Sequence, residues 1–168
     1  MSSQAMASYI WKRDLVAKLA VSMSDNSEQP CQTPMCITSI DIFGDSAEID
    51  HVGLAAQSIG AISPRGDKVV DPLQGVSVSF VDLHGITIEL VEPIGEDSPV
   101  SNMMKRGCKL LHICFRVQDL DNAIQHARKR GVHVIAKPVP AIAFQNRKIA
   151  WLYSSTWGLL ELVESPKS

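Results

Sequence analysis

Short runs of alternating apolar and polar residues recur along the chain from about residue 47 onward. Alternation with a period of two is typical of β-strands that bury one face. Two stretches show instead the apolar spacing of a helix that packs one side against a core. The pattern therefore predicts an α+β protein in which strands predominate, with strands at 49–56, 75–82, 86–92, 109–117, 132–136, 147–154 and 158–164.

The two predicted helices carry clear start and stop signals. Residues 97–107 begin with Asp-Ser-Pro, which places a capping residue and then a proline in the first turn, and they end with a glycine. Residues 119–130 repeat apolar side chains at i, i+3, i+4 and i+7, and a glycine follows them. The stretch 57–72 does not predict a long helix, because glycines and prolines interrupt it.

One unit of sequence occurs twice. In each copy a histidine, His51 or His112, stands near the beginning of an apolar strand, and a glutamate, Glu89 or Glu161, stands in the middle of the last strand. Folding the two copies together about a pseudo-twofold axis brings these four side chains to one point. The first copy is shorter between its histidine and its glutamate, by about the length of a helix. We therefore predict two βαβββ modules, the first with its helix missing or shortened, at 47–92 and 109–166, joined by a linker helix at 97–107.

Two imidazoles and two carboxylates at one point make a metal site. Strand parity places Glu89 and Glu161 among apolar neighbours, where an unpaired carboxylate is strongly destabilising. The alternative is that both glutamates lie on a solvated sheet face, as a single mid-strand glutamate usually does. Because histidine and glutamate match in both copies, we favour a site made of His51, Glu89, His112 and Glu161. Mixed nitrogen and oxygen ligands suit Co, Ni, Mn, Zn and Fe alike, so the sequence does not select the divalent ion.

Composition limits the classes of partner. The chain has 168 residues, of which 45% are hydrophobic and 20% charged, and this suffices for one domain-sized core. A net charge of -2 provides no basic surface for nucleic acid. Apolar runs stay well short of the roughly 20 residues that a membrane span needs. We therefore expect a cytoplasmic protein that binds neither nucleic acid nor membrane and keeps its four cysteines reduced.

The expected folded domain occupies residues 37–168. Residues 1–36 are rich in Ser, Gln, Asn and Asp and predict a flexible N-terminal extension, with a short helix over 9–19. Residues 37–43 show β-branched alternation, which favours one more strand before Gly44-Asp45 turns the chain.

The order of elements and six motifs resemble the vicinal oxygen chelate superfamily, which includes glyoxalases, bleomycin resistance proteins and dioxygenases. Within it, the chain is most similar to the methylmalonyl-CoA epimerase family. The resemblance implies a glyoxalase-like, cupped mixed sheet around a divalent metal, with two coordination positions left for vicinal oxygens of a substrate. The motifs are Asp50-His51-Val52-Gly53, Gln74-Gly75-Val76-Ser77-Val78, Ile88-Glu89-Leu90-Val91-Glu92-Pro93, Asp97-Ser98-Pro99, Leu111-His112-Ile113 and Leu159-Leu160-Glu161-Leu162.

The chain also departs from the epimerase pattern. The first-module helix is missing or short, and the Gly-rich loop of epimerases is replaced by the apolar segment Val139 to Phe144. Tyr153-Ser154-Ser155 stands where epimerases usually have His-Pro-Lys, and Val78 stands where many bacterial epimerases have a glutamate base. Because these loops shape substrate binding, the fold and the metal site are better indicated than the substrate.

The resemblance implies an isomerase that acts through a metal-stabilised enolate. The expected substrate is methylmalonyl-CoA, a related acyl thioester or a 2-hydroxy carbonyl compound, and the expected assembly is a homodimer. Glu161 is the first candidate for the base and Glu89 the second. We assign substrate binding to Gln74 and to Arg147, although a strand-edge arginine is more often simply solvated.

Three other functions fit the same fold. A glyoxalase-like lyase and a dioxygenase that uses His51, His112 and Glu161 as a facial triad would both need the metal. A small-molecule-binding or resistance protein of this superfamily would not, so the paired histidines and glutamates argue against it.

Overall fold

The structure is a computed structural model that describes residues 39–166. The predicted extension at 1–36 and its helix lie outside these residues, so both stay predictions. The first module consists of β1 (Glu48–Ala55), α1 (Ile59–Ile62), β2 (Val69–Asp71), β3 (Val76–Leu83) and β4 (Ile86–Pro93).

A linker helix, α2 (Pro99–Lys105), leads to the second module. Ser98 is its N-cap and Pro99 lies in its first turn, as the sequence predicts. The second module consists of β5 (Leu110–Val117), α3 (Leu120–Lys129), β6 (His133–Val134), β7 (Val139–Ala141), a 3-10 turn (Ile142–Phe144), β8 (Arg147–Ser154) and β9 (Gly158–Glu164).

All the strands form one mixed sheet in the order β2-β3-β4-β1-β5-β9-β8-β6, with β7 also paired to β8. In each module the first strand pairs in parallel with the last, β1 with β4 and β5 with β9. The two first strands pair antiparallel at the centre of the sheet. This arrangement relates the modules by a pseudo-twofold axis between β1 and β5. The predicted α+β, glyoxalase-like architecture is confirmed.

The sheet curves so that its two ends approach each other. The indole nitrogen of Trp151 in β8 donates a hydrogen bond of 3.2 Å to Oε1 of Gln74, which follows β2. One face of the sheet is therefore the inside of a cup, and the other face is its outside.

The outside of the second module is covered by α3. Asp119 caps this helix by accepting a hydrogen bond of 2.9 Å from the backbone N–H of Asn122. Its apolar face, predicted from the sequence, packs on β8 and β9 in a large cluster of buried residues: Phe43, Val117, Leu120, Ala123, Ile124, Ala127, Val132, Ala150, Leu152, Leu160 and Leu162.

The outside of the first module is covered by α1, a single turn of helix. Ile59 is 1% exposed and packs on Ala56, Ile88 and Leu90. Its backbone N–H donates a hydrogen bond of 2.7 Å to Oε2 of Glu92. The prediction that the first helix is missing or shortened is confirmed, because the helix ends before Pro64 and the chain then runs irregularly to β2.

Three local predictions need correction. The predicted strand at 37–43 is wrong for its described part, because Asp41 accepts a hydrogen bond from the N–H of Gly44 and turns the chain there. Phe43 packs into the core instead of joining the sheet. The strand predicted at 132–136 is only two residues long. Strands β2 and β7 were missed, since three residues are too few for alternation to show.

Within the described part of the chain, we find no helix that is both long enough and apolar enough to span a membrane.

Candidate metal centre

Two β-bulges aim the histidines into the cup. His51 pairs with Cys114, whereas Ile49 pairs with Phe115, so Asp50 is an extra residue in β1. Gly53 pairs with His112, whereas Leu54 pairs with Leu110, so Leu111 is an extra residue in β5. A bulge changes the direction of nearby side chains. The bulged residue directly precedes the histidine in both modules, which places the two imidazoles on the same side of the central strand pair.

The four predicted ligand side chains meet inside the cup. Nε2 of His51 lies 3.2 Å from Nε2 of His112. Oε2 of Glu161 lies 3.3 Å and 3.2 Å from these two nitrogens, and Oε2 of Glu89 lies 3.6 Å and 3.3 Å from them. Ligand atoms about 2.1 Å from one ion and separated by roughly 90–109° lie about 3.0–3.4 Å apart. The cluster therefore has the spacing of ligands around one cation.

All four side chains are buried, which is costly for charged groups unless something compensates them. Glu161 is 2% exposed, and its Oε2 atom makes no aligned hydrogen bond with any described residue, although two imidazole nitrogens lie within 3.3 Å of it. An unpartnered buried carboxylate oxygen calls for a ligand that the protein itself does not supply. A divalent cation fits this donor set of two imidazoles and two carboxylates. Ligation by these residues remains a prediction.

The electrostatics of the cluster favour positive charge at its centre. Burial lowers the pKa of His51, but the close approach of Asp50, Cys114, Glu161 and Glu89 outweighs burial and raises this pKa. Burial likewise lowers the pKa of His112, and the carboxylates of Glu161 and Glu89 beside it raise this pKa overall. Burial raises the pKa of Glu89, whereas the imidazoles of His112 and His51 beside it bring this pKa down to about 2. A cation would take the place of the imidazole protons, so its binding releases protons.

Aromatic side chains enclose the cluster. The ring of Phe80 lies edge-on to His51 at 5.5 Å, and the ring of Phe144 stacks on His51 at 5.6 Å. Trp151 lies edge-on to His112 at 4.9 Å. The apolar walls exclude water and so strengthen electrostatic interactions inside.

Sequence reasoning missed Phe80 and Trp151, although a signal for them exists. Phe80 pairs directly with Glu89 across β3 and β4, and Trp151 pairs directly with Glu161 across β8 and β9. Counting the register outward from each hairpin turn would have placed one aromatic ring beside each glutamate.

Gly53 is a second residue that sequence reasoning did not assign. A Cβ atom at this position would lie 2.1 Å from Cε1 of His112, so the imidazole occupies the space that a side chain would fill. Only glycine allows the ring to lie this close to β1.

The two predicted substrate-binding residues lie near the cluster but have structural partners. Gln74 donates to Oδ2 of Asp71 at 3.2 Å and accepts from Trp151, which itself packs on His112. Arg147 donates to the backbone oxygens of Phe144 and Glu164 at 3.0 Å and 2.8 Å. Their contact with a substrate remains a prediction.

Comparison with known proteins agrees with this architecture. The family model of the Glyoxalase/Bleomycin resistance protein/Dioxygenase superfamily matches residues 50–151. The ethylmalonyl-CoA/methylmalonyl-CoA epimerase of Cereibacter sphaeroides is 26% identical over 116 residues, which are 62% of this chain and 87% of the relative. The mitochondrial methylmalonyl-CoA epimerase of Dictyostelium discoideum is 32% identical over 130 residues, which are 70% of this chain and 78% of the relative.

Two solved structures have a similar fold. A hypothetical protein from Bacillus halodurans C-125 superposes with a TM-score of 0.62 at 30% identity, covering 73% of this chain and 97% of that one. Methylmalonyl-CoA epimerase from Streptomyces coelicolor, in complex with 2-nitronate-propionyl-CoA, superposes with a TM-score of 0.58 at 27% identity, covering 71% of this chain and 97% of that one.

Proposed function

Since the chain belongs to the Glyoxalase/Bleomycin resistance protein/Dioxygenase superfamily, we propose that it is a divalent-metal-dependent epimerase of 2-carboxyacyl thioesters such as methylmalonyl-CoA. The observation that carries the proposal is the buried cluster of His51, Glu89, His112 and Glu161, whose ligand atoms all lie within 4.8 Å of one another. A protein that only sequesters small molecules has no need of such a cluster.

His51, His112, Glu89 and Glu161 would hold the cation. When bound there, a divalent cation polarises a carbonyl oxygen and stabilises the negative charge that develops when the neighbouring carbon loses a proton. The aromatic walls keep water away from this point, which protects a reactive carbanion from side reactions.

The proton transfer is assigned to Glu161, with Glu89 as the second candidate. Oε2 of Glu161 makes no aligned hydrogen bond with the residues described, so on release from the cation it would be free to accept a proton. Glu89 reaches the same point from the other module, across the pseudo-twofold axis. Two carboxylates from opposite modules suit an epimerisation, which removes a proton from one face of a carbon and returns it to the other.

Substrate binding is assigned to Gln74 and Arg147. The amide of Gln74 is held by Asp71 and Trp151, so it is fixed beside the His112 edge of the cluster. The guanidinium of Arg147 lies over the ring of Phe144, 5.6 Å from the ring centre, and Phe144 in turn covers His51. A cation in this position suits the free carboxylate of a 2-carboxyacyl group.

The experiment is deuterium exchange. Incubation of the protein and its bound cation with methylmalonyl-CoA in deuterated water should introduce deuterium at the α carbon, detected by mass spectrometry. Glu161→Gln should lower the exchange rate by at least ~10²-fold, because an amide does not accept a proton at neutral pH. Glu164→Gln, a carboxylate in the same strand outside the cluster, is the matched control and should leave the rate unchanged.

The same protein sample separates the rival functions. Absence of exchange with every acyl thioester tested, from protein that holds its cation, would contradict the proposal. Oxygen consumption would then indicate a dioxygenase, and turnover of a hemithioacetal would indicate a glyoxalase-like lyase.

A further inference from the structure

The two bulged residues in front of the histidines have different chemistry. Oδ1 of Asp50 lies 3.0 Å from Nδ1 of His51, and its other oxygen accepts a hydrogen bond of 3.2 Å from Arg116. Arg116 also donates to Oε2 of Glu48 at 2.8 Å. At the matching position in β5, Leu111 is buried in an apolar cluster and offers no polar group to His112.

The two imidazoles are therefore held in different ways. The bond between Nδ1 and Asp50 leaves Nε2 of His51 directed at Glu161, 3.3 Å away. His112 is confined by shape instead, between the Cα atom of Gly53 and the edge of Trp151. An imidazole that donates its second N–H to a carboxylate is fixed in one tautomer and binds a metal more strongly.

We infer that Asp50, supported by Arg116, is a positioning residue that orients His51 and makes it the stronger of the two imidazole ligands. This inference rests on the proposed metal site and deepens it. The side chain of Asp50 is 16% exposed and that of Arg116 is 40% exposed. The pair therefore lies at the boundary between solvent and cluster, on the Nδ1 side of His51 and away from the point where the four ligand atoms meet.

A competing cation site shares His51 but uses the other side of its ring. Asp50, His51 and Cys114 also offer ligand atoms within 4.8 Å of one another, on the Nδ1 side of the ring. A cation bound there would make Asp50 a direct ligand and leave Glu161 unpartnered. The two arrangements differ in their need for Cys114, whose sulfur belongs only to the second.

The test is the affinity of the purified protein for Co²⁺, measured by competition with a chromophoric chelator in the absence of substrate. Asp50→Asn should raise the Kd by about 10- to 100-fold, the usual effect of removing an outer-shell carboxylate. Arg116→Met, which keeps much of the aliphatic stem, should raise the Kd less. Leu111→Met at the matching bulge is the control and should leave the Kd unchanged.

A second readout distinguishes positioning from a general structural effect. In the cation-free protein, the hydrogen-bonded Nδ1 proton of His51 should shift upfield in the ¹H–¹⁵N spectrum of Asp50→Asn, while the signals of His112 stay in place. Asp50→Glu should restore part of the affinity.

Three results would overturn the inference. The first is an unchanged Kd in folded Asp50→Asn, and the second is an equal loss of affinity in Leu111→Met. The third is loss of Co²⁺ from Cys114→Ser, which would place the ion on the Nδ1 side. A wild-type protein that binds no Co²⁺, Ni²⁺, Mn²⁺ or Zn²⁺ would instead remove the metal site and the proposed function together with the inference.

Discussion

The two modules differ on the outside of the cup and agree on the inside. Outside, the second module packs the ten-residue helix α3 on its sheet, whereas the first has the four-residue helix α1 and a single buried anchor, Ile59. Inside, each module contributes one histidine from its first strand, one glutamate from its last and one aromatic ring beside that glutamate. The difference teaches that the outer cover can shrink to one turn while the inner strands keep the positions that form the cluster.

Among substitutions outside the four predicted ligands, the largest effect is expected from Gly53→Ala, which tests whether both modules hold their histidines at the cluster. The new methyl group would collide with the His112 ring, so the ring must leave the cluster. The Kd for Co²⁺ should rise by at least ~10²-fold, more than removal of an outer-shell group causes. Cys114→Ala, at the matching position in β5, should change the Kd only a few-fold, since it makes room and adds no atom. Unchanged affinity in Gly53→Ala would show that His112 is not needed for the ion.

Next in size is the cost of deleting the outer anchors. Ile59→Ala and Ile124→Ala should each lower the free energy of unfolding by about 2–5 kcal/mol, because both side chains are buried in apolar clusters. Urea denaturation measures this change. Ile62→Ala in the same short helix is the control, since Ile62 is 58% exposed, and it should have little effect. If Ile59→Ala lowered the free energy of unfolding as little as Ile62→Ala, the packing of α1 on the first module would not contribute to stability.

The smallest expected effect concerns the helix caps. Asp119→Ala should lower the free energy of unfolding by about 1 kcal/mol, because its side chain satisfies the N–H of Asn122. Ser58 caps the short helix without a side-chain hydrogen bond, so Ser58→Ala should change stability by only a few tenths of that value. Thermal unfolding of both variants measures the two losses of stability. Equal losses in Asp119→Ala and Ser58→Ala would contradict the expected difference between the two caps.

Much of the fold follows from the sequence because periodicity and repetition are strong signals. The structure confirms the six long strands and the helices α2 and α3, and the comparisons confirm membership of the superfamily. The relatives are epimerases, so the prediction that the chain is an enzyme of the isomerase class is confirmed. The structure also brings together the four side chains that the repeat marks out, while their binding of metal stays untested.

The remaining features depend on register and contacts that a single sequence does not display. The bulges at Asp50 and Leu111 appear only when β1 is paired with β5. For residues 39–43, the described part of the predicted strand at 37–43, the alternation was misleading, because burial of Phe43 against the second module outweighed the local preference for a strand. The need for glycine at position 53 arises from a ring on another strand.

The central claim is that both modules supply ligands to one shared ion. The most direct measurement is elemental analysis of dialysed wild-type protein and of His51→Ala and His112→Ala, one variant for each module. The account predicts about one divalent metal ion per chain in the wild type and loss of that ion from both variants, since each removes one of four protein ligands. Equal metal content in all three proteins, or loss from only one variant, would contradict it.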